Sequence, residues 1–564
     1  MEVQRISYFL GTYEDDVRRC LRDLQSHRIT ERIWERDYTV WKSTPDNIIN
    51  RLGWLHAPAD TLKQLSYVQT VLDPIIAEGY KNAVLLGMGG SCLAAEVFAG
   101  IFGRHKGYPR LRILDNTDPA AICRISQDLN LCETLFLVSS KSGTTVETLS
   151  LFNYFYNLTV NKLGPRAGRN FIMITDPDSP LEALTYRLSL RHVFMNDPAI
   201  GGRYSALSFP GIVPAALIGA DVERLLQNAQ AAAQNEQLCS SATGSPGPGV
   251  RLGATLGALA QNNCDKLVLI FPDKWKSLGN WLEQLIAEST GKEGKGILPV
   301  CAAQTPQQSN YGRDHLFVVY DDGADRQKGD IAASLAGRHP VVKISLNDPY
   351  EIGSQMFLWE MATAVAGYIL DINPFDQPNV EATKIFTNKM VGLYRVKKRL
   401  PQEEPSVITA EYCIYGLSGS SAGAALKNFL ALAKGGDYVC FQVYLSPAPE
   451  IDAQLRQLCS IISAKYRIAA TSDYGPRYLH STGQLHKGDA GRGLFIQLTA
   501  DDLVDVEIPD NPGSRESTLT FGALKLAQAM GDRQALLQLK RKTIRLHLGA
   551  NINNNLNSII KILQ

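Results

Sequence analysis

From residue 81 to residue 348, short β-branched apolar runs alternate with longer amphipathic segments, and this alternation leaves few folds open. KNAVLLG (81–87), LRILDN (111–116), ETLFLVSS (133–140) and NFIMITD (170–176) are each bounded by Gly, Asp, Asn or Ser. DKLVLIFP (265–272), HLFVVYDD (315–322) and PVVKISLND (340–348) repeat the pattern. Short strands separated by helical stretches predict an α/β fold of parallel sheets covered by helices. The chain has 564 residues, too many for one core, so several such units are expected.

Breaks in the pattern set the boundaries. Residues 1–50 read as a helical segment, because DDVRRCLRDL and ERIWERDYTVW carry apolar residues at helical spacing. A first α/β unit over 51–221 and a second over 222–398 follow. The stretch SSATGSPGPG (240–249) is then a loop inside the second. RLPQEEPS (399–406) opens a smaller C-terminal α/β unit, 399–564, with strand-like EYCIYG, DYVCFQVYL and GLFIQLT. The tail ALKLAQAMGDRQALLQLKRKTIRLHL (523–548) reads as an amphipathic helical end.

Several function classes drop out on charge and composition. Lys and Arg total 57 against 56 Asp and Glu, so nothing favours nucleic acid or an anionic membrane surface as partner. No run approaches the ~20 apolar residues of a membrane span, and the start lacks a basic, apolar secretory signal. A cytoplasmic location is expected. The ten cysteines are scattered without a Cys-x-x-Cys pair, and the nine histidines show no metal-ligand spacing. Reduced thiols are expected, with no metal and no cofactor.

The strongest local signal for chemistry is FLVSSKSGTTVETLS (136–150), an apolar strand that runs through hydroxyls into a helix. Helix capping needs one hydroxyl, yet five of the seven residues 139–145 are Ser or Thr. Backbone N–H groups and the helix dipole at such a start favour an anion. Ser140, Ser142 and Thr145 are therefore expected to hold a phosphate. The Lys precedes the glycine here, so this is not a nucleotide-binding P-loop. A second glycine-rich turn, LLGMGGSCLAAE (85–96), also joins strand to helix, but its glycines are not spaced as a dinucleotide fingerprint. It is expected to wall the same pocket.

GMGGS (87–91), SSKSGTT (139–145), GGRYS (201–205), ESTGKEGKG (288–296) and NPFDQPNVEATK (373–384) occur in one order. In that order they resemble the phosphoglucose isomerases. With GPRYLHSTGQLHKG (475–488), the likeness is nearest to the isomerase half of transaldolase–phosphoglucose isomerase fusion proteins. The resemblance implies two sugar isomerase (SIS) domains plus the C-terminal unit. It also implies a glycolytic and gluconeogenic isomerase that binds a sugar phosphate, and a homodimer whose subunits complete each other's sites.

The resemblance also implies roles. Glu288 matches the base that moves a proton between C2 and C1, and Gln284, one helical turn before it, a substrate-positioning glutamine. Arg203 matches the cation that opposes enediolate charge. Gly202, Gly90, Ser91, Lys141 and Gln377 fall among the substrate contacts, and Lys384 lies near the ring oxygen. The family's ring-opening histidine has no match in its usual place. His315, in YGRDHLFVV, is in the right interval without the motif. His480 and His486, in the dense loop 475–488, are the preferred candidates. A non-catalytic sugar-phosphate regulator has no use for Glu288, Arg203 and Lys384 together. A dual glucose/mannose phosphate isomerase stays open, whereas amide transfer would need a glutamine-hydrolysing unit that is absent.

Overall fold

The computed structural model describes residues 5–241, 245–302, 311–323, 331–417, 419 and 421–564. Part of the predicted loop at 240–249, residues 242–244, lies outside them. The first sheet is all parallel, in the spatial order Arg110–Leu114, Asn82–Gly87, Thr134–Ser139, Phe171–Thr175, His192–Met195. Its middle strands are buried on both faces, with Leu135, Phe136, Leu137 and Val138 all inaccessible. Helices on either side explain why these strands read as continuous apolar runs.

In the second sheet the parallel strands are Leu298–Cys301, Lys266–Ile270, His315–Asp321 and Val341–Ser345. Its far edge corrects the helical reading of the N-terminus. Arg5–Phe9 is a strand and pairs antiparallel with Val341–Ser345. The alternating exposure of RISYF is that of an edge strand with one face covered. Two helices, Glu14–Ser26 and Ile29–Trp34, do follow it. The segment packs onto the second unit, and the buried Trp41 donates its indole N–H to Ala364 O at 2.9 Å.

The third sheet has four parallel strands, Ala469–Tyr474, Tyr438–Tyr444, Gly493–Thr499 and Lys542–His547, with Cys413–Tyr415 and Val407–Ile408 antiparallel on its edge. Here the predicted helical tail splits. The helix Phe521–Gln538 is buried along most of its length, and Lys542–His547 is an interior strand. The chain turns at Lys540, whose φ is +55°, and KTIRLH then alternates as a strand does. Thr520 caps the helix by accepting from Ala523 N at 3.2 Å. Thr520→Ala is expected to cost about 1 kcal/mol, read as a lower denaturation midpoint for this unit.

Among the described residues no helix is long and apolar enough to cross a membrane.

Candidate active site

A cavity of ≈ 970 Å³ opens beyond the carboxyl ends of the first sheet, where strands Asn82–Gly87 and Thr134–Ser139 run into their loops. Open α/β sheets bind ligands at this end. Ser142, Thr144 and Thr145 of the predicted hydroxyl cradle line one wall, whereas Ser140 is buried and does not reach it. Ser140 Oγ and Thr145 Oγ1 are 3.0 Å apart, and Ser142 Oγ and Thr144 Oγ1 2.9 Å. In each such pair one hydroxyl donates, and the other keeps its proton for an anion. Thr145 is the N-cap of the helix Val146–Leu163, yet its side chain makes no capping hydrogen bond. Gly143 has φ +66°, and a Cβ there would meet Leu181 N and Ser179 Cβ at 3.0 Å. Lys141 lines the cavity, but its charge is met by Asp176 at 2.6 Å.

The two glycine turns close on each other. A Cβ on Gly90 would lie 2.1 Å from Gly202 O, so only glycine allows the approach. Gly90, Ser91 and Gly202 line the cavity as expected. The contact brings Arg203 beside the helix Leu278–Thr290. Arg203 is 4% exposed, and four hydrogen bonds and one ion pair hold its guanidinium. Nε donates to Ser289 Oγ at 2.7 Å. Nη1 meets Glu288 Oε1 at 3.0 Å and Gln377 Oε1 at 2.9 Å. Nη2 donates to Pro374 O at 2.7 Å and Asp376 O at 2.9 Å. The guanidinium cannot swing away, so its charge stays fixed at Glu288. Gln377, expected among the substrate contacts, lines the cavity and accepts from Arg203 Nη1 through its Oε1.

Glu288 ends its helix as predicted, and Gln284 Nε2 donates to its Oε2 at 3.0 Å. The same Nε2 donates to His480 O at 2.8 Å. His480 therefore faces the cavity that Glu288 faces, carried there by the turn Arg477–His480 of the C-terminal unit. Its Nε2 lies 3.0 Å from Glu147 Oε1. Burial opposes the imidazolium, but Glu147 and, behind it, Glu288 outweigh that against Lys384, and the pKa is raised. Lys384 lines the same cavity, 63% exposed, in a loose 3.4 Å pair with Glu381.

His486 is not in the cavity. It is fully buried, its ring 4.9 Å from Phe495, with Nδ1 3.4 Å from Gln442 Nε2 and Nε2 4.0 Å from Asp473 Oδ2. Burial pushes its pKa well below the usual value, which leaves it a neutral core group. With Cys440 and Asp473 it forms a close, buried trio away from the site. The density of the loop 475–488 that singled it out has another cause. Gln484 donates to Gly291 O and Asn379 Oδ1, and Arg477 pairs with Glu96 and with Asp115, so the loop clamps the site. His315 is likewise buried, 2.8 Å from Asp314.

Several contributors escaped sequence reasoning. Glu147 is 4% exposed and reads in the sequence as a first-turn acid of the helix that follows the cradle. Arg51 lines the cavity from the N-terminal side, its guanidinium bonded to Asn50 O at 2.7 Å. Lys292, 1% exposed, holds Asn373 O at 2.8 Å and Asp376 O at 2.6 Å. Burial, reinforced by Arg203, pushes its pKa down to about 8. Lys292 lies within ESTGKEGKG, four residues after Glu288, whereas only the fold brings Glu147 and Arg51 to the cavity.

The chain is similar to several known proteins. Residues 75–297 match the family model described as phosphoglucose isomerase. A probable glucose-6-phosphate isomerase of Methanococcus maripaludis is 31% identical over 348 residues, 55% of this chain and 78% of its own. The glucose-6-phosphate isomerase of Campylobacter jejuni is 28% identical over 363 residues, 56% of this chain and 86% of its own. Among solved structures, a hypothetical protein from Thermus thermophilus superposes with a TM-score of 0.57 at 25% identity, over 68% of this chain and 99% of that one.

Proposed function

Since this chain belongs to the phosphoglucose isomerase family, we propose that it interconverts glucose 6-phosphate and fructose 6-phosphate, the aldose–ketose isomerisation of glycolysis and gluconeogenesis. One observation carries the reading. Glu288, held between Arg203 and Gln284, shares a cavity with a protonatable His480 and an open anion cradle.

The phosphate binds at Ser140–Thr145 and anchors the sugar. Glu147 occupies Nε2 of His480, which leaves Nδ1 to give a proton to the ring oxygen. The C1–O bond to that oxygen breaks, and the proton that O1 releases restores the histidine through solvent. Glu288 then takes the C2 proton of the open aldose, giving the enediolate, and returns it to C1, while O1 takes up a proton and O2 releases one through solvent. Arg203 opposes the enediolate charge without being able to lose its own proton. Lys384, exposed and loosely paired, reaches the sugar hydroxyls at the cavity mouth. No cofactor enters the scheme.

The same family membership leads us to a cytoplasmic homodimer. Catalysis does not draw on the second copy in this scheme, because one chain brings Glu288, Arg203, Gln284, Glu147 and His480 to one cavity. The test is a coupled assay of fructose 6-phosphate conversion by the purified chain. Steady turnover is expected. Tight sugar-phosphate binding without turnover would instead make the protein a regulator.

A further inference from the structure

We propose that Gln528, in the C-terminal unit, is a positioning residue for ring opening: it fixes Glu147, and through Glu147 it fixes His480. The proposal rests on the isomerase reading above and assigns that unit a second part in the same site. Gln528 lies on the buried side of the helix Phe521–Gln538 and is 2% exposed. Its Nε2 donates to Glu147 Oε1 at 2.6 Å, and its Oε1 accepts from Thr117 Oγ1 at 3.0 Å. A carboxylate takes one end of the amide and a hydroxyl donates to the other, so the amide has a single orientation. The oxygen it fixes, Glu147 Oε1, is the one that meets His480 Nε2.

One turn later on the same face, Asp532 holds the peptide that carries His480. Asp532 is fully buried. Its Oδ2 accepts from Tyr478 Oη at 2.7 Å and from Gln442 Nε2 at 3.2 Å. Its Oδ1 accepts from Thr383 Oγ1 at 3.1 Å and meets Lys487 Nζ at 2.5 Å. Tyr478 lies two residues before His480, and Thr383 directly precedes Lys384. The helix thus grips the imidazole through Glu147 and its backbone through Tyr478.

The charges acting on His480 are those of Glu147, Glu288 and Lys384. Arg477, on the same turn, is taken up by Glu96 and Asp115, and Lys487 by Asp532. His480 does most to hold the Glu147 anion against its burial, and the Gln528 donor adds to it. That anion keeps His480 protonated.

The test compares the wild type, Gln528→Met and Thr117→Val. The dependence of kcat and KM for glucose 6-phosphate on pH is followed from about pH 6 to about pH 10. Gln528→Met is expected to lower kcat about tenfold near neutrality, the scale of one lost charge-assisted hydrogen bond, with KM little changed. Its alkaline limb should move to lower pH. Thr117→Val, which frees the outer end of the amide, should move the limb the same way by less. If Gln528→Met does not fold, Thr117→Val carries the comparison alone. An alkaline limb in the wild-type position in the folded variants, with or without a uniform fall in rate, would overturn the proposal. A wild type that binds the sugar phosphate but does not turn it over would overturn the isomerase reading itself.

Discussion

Glu288→Gln is expected to lower kcat for glucose 6-phosphate by about 10²–10⁴-fold, with KM within a few-fold of wild type. The amide keeps the size and shape of the carboxylate but cannot carry a proton from C2 to C1. Its carbonyl oxygen can still accept from Arg203 Nη1, which meets Glu288 Oε1 at 3.0 Å. Arg203 also keeps its bonds to Ser289, Gln377, Pro374 and Asp376, so the site should not collapse around the change. In the proposed scheme the substrate is anchored by its phosphate at Ser140–Thr145, which the substitution does not touch. Loss in kcat with KM preserved is the signature of a group that acts in the transition state. Steady-state kinetics, joined to wash-in of solvent deuterium at C2, measures it. A variant that retains a tenth or more of wild-type turnover would remove Glu288 from the mechanism.

His480→Ala is the second large effect, about 10²-fold on the cyclic substrate. The loss should be much smaller with an aldotetrose 4-phosphate, which has no hydroxyl placed to close a stable ring. The pH profile gives the sign independently. His480 must be protonated to act, and its pKa is raised above the ordinary 6.5. Wild-type activity should therefore hold past the ordinary histidine range and fall as pH rises through the raised value. Stability follows the same pair. The contribution of protonated His480 is fully present below 6.5 and is lost as pH rises through its folded value. Glu147, whose pKa is lowered despite burial, contributes above the ordinary carboxylate range and loses its share only as pH falls through its depressed value. Equal losses on cyclic and open-chain substrates would show that His480 does not serve ring opening.

The sequence made local features legible and hid those that depend on distant contacts. Apolar runs such as ETLFLVSS announced interior strands, because burial on both faces leaves no polar alternation. The edge strand Arg5–Phe9 and the interior strand Lys542–His547 were missed, since RISYF and KTIRLH mix charges with apolar residues and adjoin helices. The cradle and Glu288 sit within short linear patterns and could be read. His480 and His486 lie six residues apart in one loop, and nothing local separates them. A 3.0 Å pair with Glu147 holds one in the cavity, and the aromatic surroundings of the other make it core. Gln528 had no signal at all, as its partners are 381 and 411 positions away.

The central claim is that a single chain assembles the base and the acid about one sugar phosphate. Co-expression of separately tagged Glu288→Gln and His480→Ala chains, followed by tandem purification of the mixed species, tests it directly. The expected result is that any mixed assembly is no more active than the mean of the two variants, because every cavity carries one defect. Recovery of up to half the wild-type activity would contradict the claim, since it would require a histidine from one chain to serve the glutamate of another.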